Sequence, residues 1–189
     1  MNTSLKAVLT GALLALAVSL VANKAWAVNT PADATITVTP VADITLTVDP
    51  TTYAFGSLDV AASSVAASSI TLTNSGQVDV TVNKAITTES NPGGWSAATI
   101  ASASPGANKY ALYVATSTTR PATGDFVDAD HLFNGTGSNA LKGLGGGTPT
   151  LTTTGVPKDV ALWFKLAMPT SVADQTAREI SLQFTGVAP

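Results

Sequence analysis

The chain has 189 residues, 45% of them hydrophobic and 11% charged, with a formal charge of −3, one histidine and no cysteine. The absence of cysteine excludes a disulfide scaffold, a thiolate metal site and a thiol nucleophile. Nine basic residues against twelve acidic ones provide no surface suited to phosphates, so nucleic acid is not an expected partner.

Residues 1–27 read as an export signal. Lys6 supplies a short positive region and Ala7 to Ala22 (AVLTGALLALAVSLVA) an apolar run. Ala25 and Ala27 then offer the small side chains of an A-x-A cleavage site. The rival reading is a membrane anchor, which needs about 20 apolar residues, more than this run provides. Cleavage after Ala27 removes Lys6 and Lys24 and leaves seven basic and twelve acidic residues, a formal charge of −5. No second long apolar run follows. The mature chain is therefore expected to be secreted, extracellular or at the cell surface, and free of the membrane.

From residue 34 onward the hydrophobic period is two. Ile36 and Val38 alternate with threonines, and after Pro40 so do Ile44, Leu46 and Val48. Ile70 and Leu72 follow the same rule, then Val78, Val80 and Val82. In the second half the sets are Tyr110, Leu112 and Val114; Val160, Leu162, Phe164 and Leu166; and Ile180, Leu182 and Phe184. Successive strand side chains point to opposite faces, so each segment has one apolar and one hydroxyl-rich side. Turn chemistry separates the runs at Asp49-Pro50, Asn74-Ser75-Gly76, Asn91-Pro92-Gly93-Gly94 and Gly143 to Gly147.

No helical period stands out after residue 30. The expected fold is all-β, an Ig-like antiparallel sandwich of seven or more strands, with a closed barrel as the alternative. Residues 28–48 form an extended N-terminal strand and 49–189 the sandwich domain. Thr116 to Thr150 breaks the rhythm and reads as a long excursion, with room for a short helix or hairpin of its own.

Two passages resemble exported bacterial Ig-like sandwich proteins. One is Tyr53 to Val82 (YAFGSLDVAASSVAASSITLTNSGQVDVTV) and the other Val160 to Val187 (VALWFKLAMPTSVADQTAREISLQFTGV). Within that group the layout is similar to two kinds of fibre subunit. The camelysin/TasA-like biofilm fibre family is similar at Gly56-Ser57-Leu58-Asp59, at the Asn74-x-Gly76 turn and at Gln175. The spore-coat-U-like pilin family is similar at Tyr110-Ala111-Leu112-Tyr113 and in the closing strand. Both resemblances imply polymerisation by strand donation.

The residues supply a physical route to the same end. TITVTPV and DITLTVD are related halves separated by Pro40, and proline is poorly tolerated in a central strand. A detached alternating arm can add itself to the open edge of another copy. The expected assembly positions are Ile36, Val38, Ile44, Leu46 and Val48, and a head-to-tail contact of this kind propagates as an open filament. The expected function is a non-enzymatic subunit of a filament, pilus or surface layer, with copies of itself as partners. The alternative is a secreted monomeric module that binds glycan or protein through the Thr116 to Thr150 excursion. Thr35 to Val48 would then be one bulged strand or a hairpin of its own domain.

No cofactor is expected, and the remaining candidate sites are short. Asp125, Asp128 and Asp130 in GDFVDADH could gather around Ca²⁺, yet their spacing departs from an EF-hand loop and also suits a solvated acidic loop. His131 invites a Ser-His-Asp reading, but no G-x-S-x-G occurs. Gly143-Leu144-Gly145-Gly146-Gly147 lacks the Lys-Ser/Thr ending of a phosphate loop. Trp95, Trp163 and Tyr113 could form a carbohydrate platform, with core or inter-subunit packing as the default. Trp163, opposite Leu162 and Phe164, is either exposed or part of a second apolar layer. Asn134-Gly135-Thr136 matches a glycosylation acceptor.

Overall fold

The computed structural model describes residues 37–38, 43–89, 94–99, 104–132 and 139–188. The signal segment with Ala25 and Ala27, Ile36 and the Asn134 acceptor lie outside them. Two units are distinguished, Met1–Pro40 and Val41–Pro189. In the first, Thr37 and Val38 are described and carry no strand.

Among its described residues the second unit is built from strands, with no helix of seven or more residues. One sheet contains β1 (Leu46–Asp49), β2 (Ser63–Val65), β3 (Ile70–Asn74), β5 (Ser96–Ala97), β6 (Lys109–Thr116), β8 (Lys142–Gly143) and β10 (Asp159–Ala167). The other contains β4 (Val80–Glu89), β7 (Asn139–Ala140), β9 (Thr150–Leu151) and β11 (Ile180–Val187). The fold is the expected all-β, sandwich-like one.

In the first sheet β10 lies between β6 on one side and β3 with β2 on the other, all antiparallel. β3 and β2 share one edge of β10 in tandem, and β1 closes that side by pairing with β3. Short pieces line the far edge of β6: β5, a bridge from Tyr113 to His131, and β8. In the second sheet β4 is central. β11 runs along one of its edges, while β7 and β9 follow one another on the other.

The period-two pattern explains the core. Ile70 and Leu72 of β3, Val80, Val82 and Ile86 of β4, Tyr110, Leu112 and Val114 of β6, and Leu162, Phe164 and Leu166 of β10 are all buried together. Each such aliphatic or aromatic side chain contributes about 1.5–3 kcal/mol of burial. Asn74 ends β3 inside the core. Its amide donates to the carbonyls of Val78 (2.8 Å) and Leu151 (3.0 Å), so a polar turn residue is buried with its donors satisfied.

The opposite face of the first sheet is also covered. Ala111, Tyr113 and Ala115 of β6 and Trp163 and Ala167 of β10 join Val65, Ala98 and Phe126 in a second apolar layer. The stretch after β6 helps to build it. Arg120 straps this segment down, its Nε donating to Ala66 O at 2.8 Å and its Nη2 to Val65 O at 2.9 Å. The chain then passes through two single 3-10 turns, Thr123–Asp125 and Asp128–Asp130. Thr116 to Thr150 is thus a long irregular connection, as its broken rhythm suggests, but it is stitched into the sandwich. Leu132, Leu141 and Leu151 are fully buried members of the main core.

Candidate functional site

Two features stand out among the described residues: a sheet edge that pairs with no further strand and a buried polar centre. The edge belongs to β11, whose sequence ISLQFTGV contains no charged residue and no proline. Among the described residues it pairs only with β4, with one irregularity between Ser181 and Leu182. Its core-side residues Ile180, Leu182 and Phe184 are half-buried, as are Leu46 and Val48 of β1. The core is sealed around β6 and β10 and thinner where β1 approaches β11.

The expected assembly positions divide between different environments. Leu46 and Val48 lie in β1, opposite Asn74 and Leu72 of the same chain. Ile44 packs over Gly186 at the end of β11. These three are thus occupied within their own fold. Val38 is 78% exposed and Ile36 lies outside the described residues.

The polar centre sits between the sheets. Lys84 on β4 is 1% exposed, and its Nζ donates to the carbonyls of Val114 and Ala129, each at 3.1 Å. Burial pushes its ammonium down to about 8, against the pull of Asp130. Asp130 is fully buried and its Oδ2 accepts from the Val127 amide at 2.9 Å. Burial raises this carboxyl despite the Val127 hydrogen bond and the nearby charges of Lys84 and Lys165. Lys165 reaches the far side of the first sheet, 4.1 Å over the Tyr113 ring, and burial lowers its ammonium too.

His131 is buried, not solvent-facing, with its ring 5.2 Å from that of Tyr113. Burial, with Lys84 adding to it, holds its imidazole down at about 4, so it is neutral near neutral pH. Asp125 does not join Asp130. Its Oδ2 accepts from the Ala122 amide at 2.8 Å, closing its own turn. Among the described residues no group of three or more His, Cys, Asp or Glu side chains could hold a metal ion.

The aromatic residues are packed away. Trp163 is 8% exposed and donates to Ser117 O at 3.0 Å, which makes it part of the second apolar layer. Trp95 is equally buried, with Arg178 5.2 Å over its ring. Tyr110 donates its hydroxyl to Glu89, which also accepts from the Ala97 amide at 2.8 Å. Burial, followed by Glu89, raises the Tyr110 phenol above its ordinary range. The glycine-rich passage uses its own amides, Gly143 donating to Gly147 O at 2.8 Å and Gly146 to Gly143 O at 2.9 Å. It closes as a turn and presents no ring of free donors there.

Sequence reasoning missed Lys84, Asn139, Glu89 and Arg178. The signal for Lys84 was present: the alternation Val78, Val80, Val82 continues through Lys84 to Ile86, placing a lysine on the apolar face. No protein-family model, curated protein or solved structure matches this chain.

Proposed function

We propose that this chain is a structural subunit of an extracellular filament or surface layer, joined to its neighbour by an N-terminal strand laid along β11. The observation that carries the reading is the uncharged, proline-free eight-residue edge of β11. Edge strands are ordinarily blunted by lysine, proline or brevity, because their free N–H and C=O groups invite pairing with another chain. β11 has none of these protections beyond one irregularity near its start.

The segment around Ile36 and Val38 is a chemically suitable occupant. It is alternating, threonine-rich and uncharged (TITVT), and Pro40 limits its length. Main-chain hydrogen bonds would supply affinity, and its apolar side chains would cover half-buried Leu182 and Phe184. Each copy offers both an arm and an edge, so the contact is head-to-tail, and with a rotation between copies that does not close a ring it repeats as an open filament.

The test is deletion of Val28 to Thr39 from the mature protein, followed by electron microscopy of purified material. Loss of ordered fibres with the sandwich still folded supports strand donation. Fibres of unchanged morphology, or a wild-type protein that stays monomeric at high concentration, overturn it.

A further inference from the structure

Buried Lys84 and half-buried Asn139 reach the five-residue stretch from Val127 to His131, which contains buried Asp130. Lys84 donates to the carbonyl of Ala129 at 3.1 Å. Asn139, the direct cross-strand partner of Lys84 between β4 and β7, donates from Nδ2 to the carbonyl of His131 at 2.9 Å. Asp130 is the residue between those two carbonyls. Its Oδ1 and the Oδ1 of Asn139 are both buried without a hydrogen-bond partner. Two orphaned acceptors and a buried ammonium in one place make a costly arrangement, since buried polar groups are almost always satisfied.

We propose that Lys84 and Asn139 condense into an intramolecular amide cross-link, with Asp130 as the proton-transfer group. The neutral Lys84 Nζ attacks the Asn139 carboxamide carbon while protonated Asp130 donates to Oδ1. The excess proton on Nζ passes through Asp130 to Nδ2. The C–Nδ2 bond then breaks and ammonia departs. The proton on the former Oδ1 returns to Asp130 as the carbonyl re-forms. One amine and one primary amide become one secondary amide and one ammonia, with no oxidant or cofactor.

The product resolves what the separate side chains leave open. Its N–H takes the place of Nδ2 against the His131 carbonyl, and its oxygen meets the protonated Asp130. The buried ammonium disappears. Burial favours the reactive forms at the outset, lowering the Lys84 ammonium to about 8 and raising the Asp130 carboxyl. A bond here ties β4 to β7 in a chain that has no cysteine with which to make a disulfide.

Peptide mapping by tandem mass spectrometry of the folded mature protein tests the idea. The expected result is a branched peptide joining Lys84 to Asn139, lighter than its parts by one ammonia. Lys84 should then resist reductive methylation even in denaturant. Lys84→Arg and Asp130→Ala should yield only linear peptides. Unmodified Lys84 in wild-type protein after long incubation above pH 8, where its amine is neutral, overturns the proposal. So does loss of water with Asp130 in the branch, or cross-linking at the wild-type rate in Asp130→Ala. The wild-type map decides the matter even where a variant fails to fold.

Discussion

The Cγ2 of Ile44 stands where a side chain on Gly186 would begin, 2.6 Å from the position of its missing Cβ. The glycine lets the segment leading into β1 lie against the end of β11. Gly76 has the same office on the other side of β1. A Cβ there would meet the backbone carbonyl of Asp43 and, at 2.8 Å, the amide of Thr45.

The two glycines should respond differently to the same change. Ile44 is 39% exposed and its side chain can swing aside, so Gly186→Ala should cost about 1 kcal/mol or less. At Gly76 the obstacle is backbone already hydrogen-bonded to the turn, Ser75 donating to Thr45 O and Gln77 to Asp43 O. Gly76→Ala should therefore cost about 2–3 kcal/mol, within the usual range for overpacking. Urea unfolding of both variants checks the order, and equal midpoints would sink this account of how β1 is seated.

Trp163 provides a second test. Its indole is buried in the outer apolar layer and donates to Ser117 O. Trp163→Ala should lower stability by about 3–5 kcal/mol through cavity formation. Trp163→Phe keeps most of the ring and should cost less, about 1–2 kcal/mol, mainly for the unsatisfied carbonyl. A Trp163→Ala protein of undiminished stability would restore the tryptophan as a candidate for surface recognition.

Acid should weaken the fold through His131. Its imidazole is depressed from 6.5 to about 4 in the native state, so the unfolded chain holds more protons between those values. Stability then falls as pH drops from 6.5 towards 4, by about 2–3 kcal/mol for this group alone. Asp130 acts in the opposite sense. Its raised carboxyl takes up a proton more readily when folded, which favours the native state as pH falls through its folded value towards 3.8. His131→Asn should flatten the acid dependence and leave the Asp130 contribution. Denaturant titrations across this range, wild type against variant, measure the difference.

Local pattern carried the strands far better than their connections. Ile70 with Leu72, or Leu162 with Phe164 and Leu166, declare a face because each is the next but one to the last. Leu132, Leu141 and Leu151 are just as buried, yet none of them belongs to a period-two apolar run: Leu132 follows Asp130-His131, Leu141 precedes Lys142 and Leu151 stands among threonines. Their burial follows from the path between sheets, which no short window encodes. Lys84 shows the converse. Its position was readable from the alternation, but charge argued for the surface, and only the carbonyls of Val114 and Ala129 explain how the core accepts it. That β11 pairs only with β4 among the described residues was not legible at all, because pairing depends on which strand β4 selects.

The arm itself can be tested without truncation. Ile36 and Val38 are the apolar pair of the first half-repeat, and Val38 is 78% exposed in the single chain. Burying two such side chains in an acceptor edge should contribute about 1.5–3 kcal/mol each, and aspartate at either site adds the cost of an unpaired buried charge. The double variant Ile36→Asp, Val38→Asp should fold with an unfolding midpoint near that of wild type, since the arm is expected to contribute to assembly and Val38 is exposed in the single chain. It should weaken assembly by about a thousandfold or more. Sedimentation velocity together with electron microscopy reads both properties. A peptide spanning residues 34–42, added in excess to wild-type monomer, should cap β11 and shorten the fibres. If the double variant polymerises as wild type does, the contact between copies lies elsewhere than in this arm.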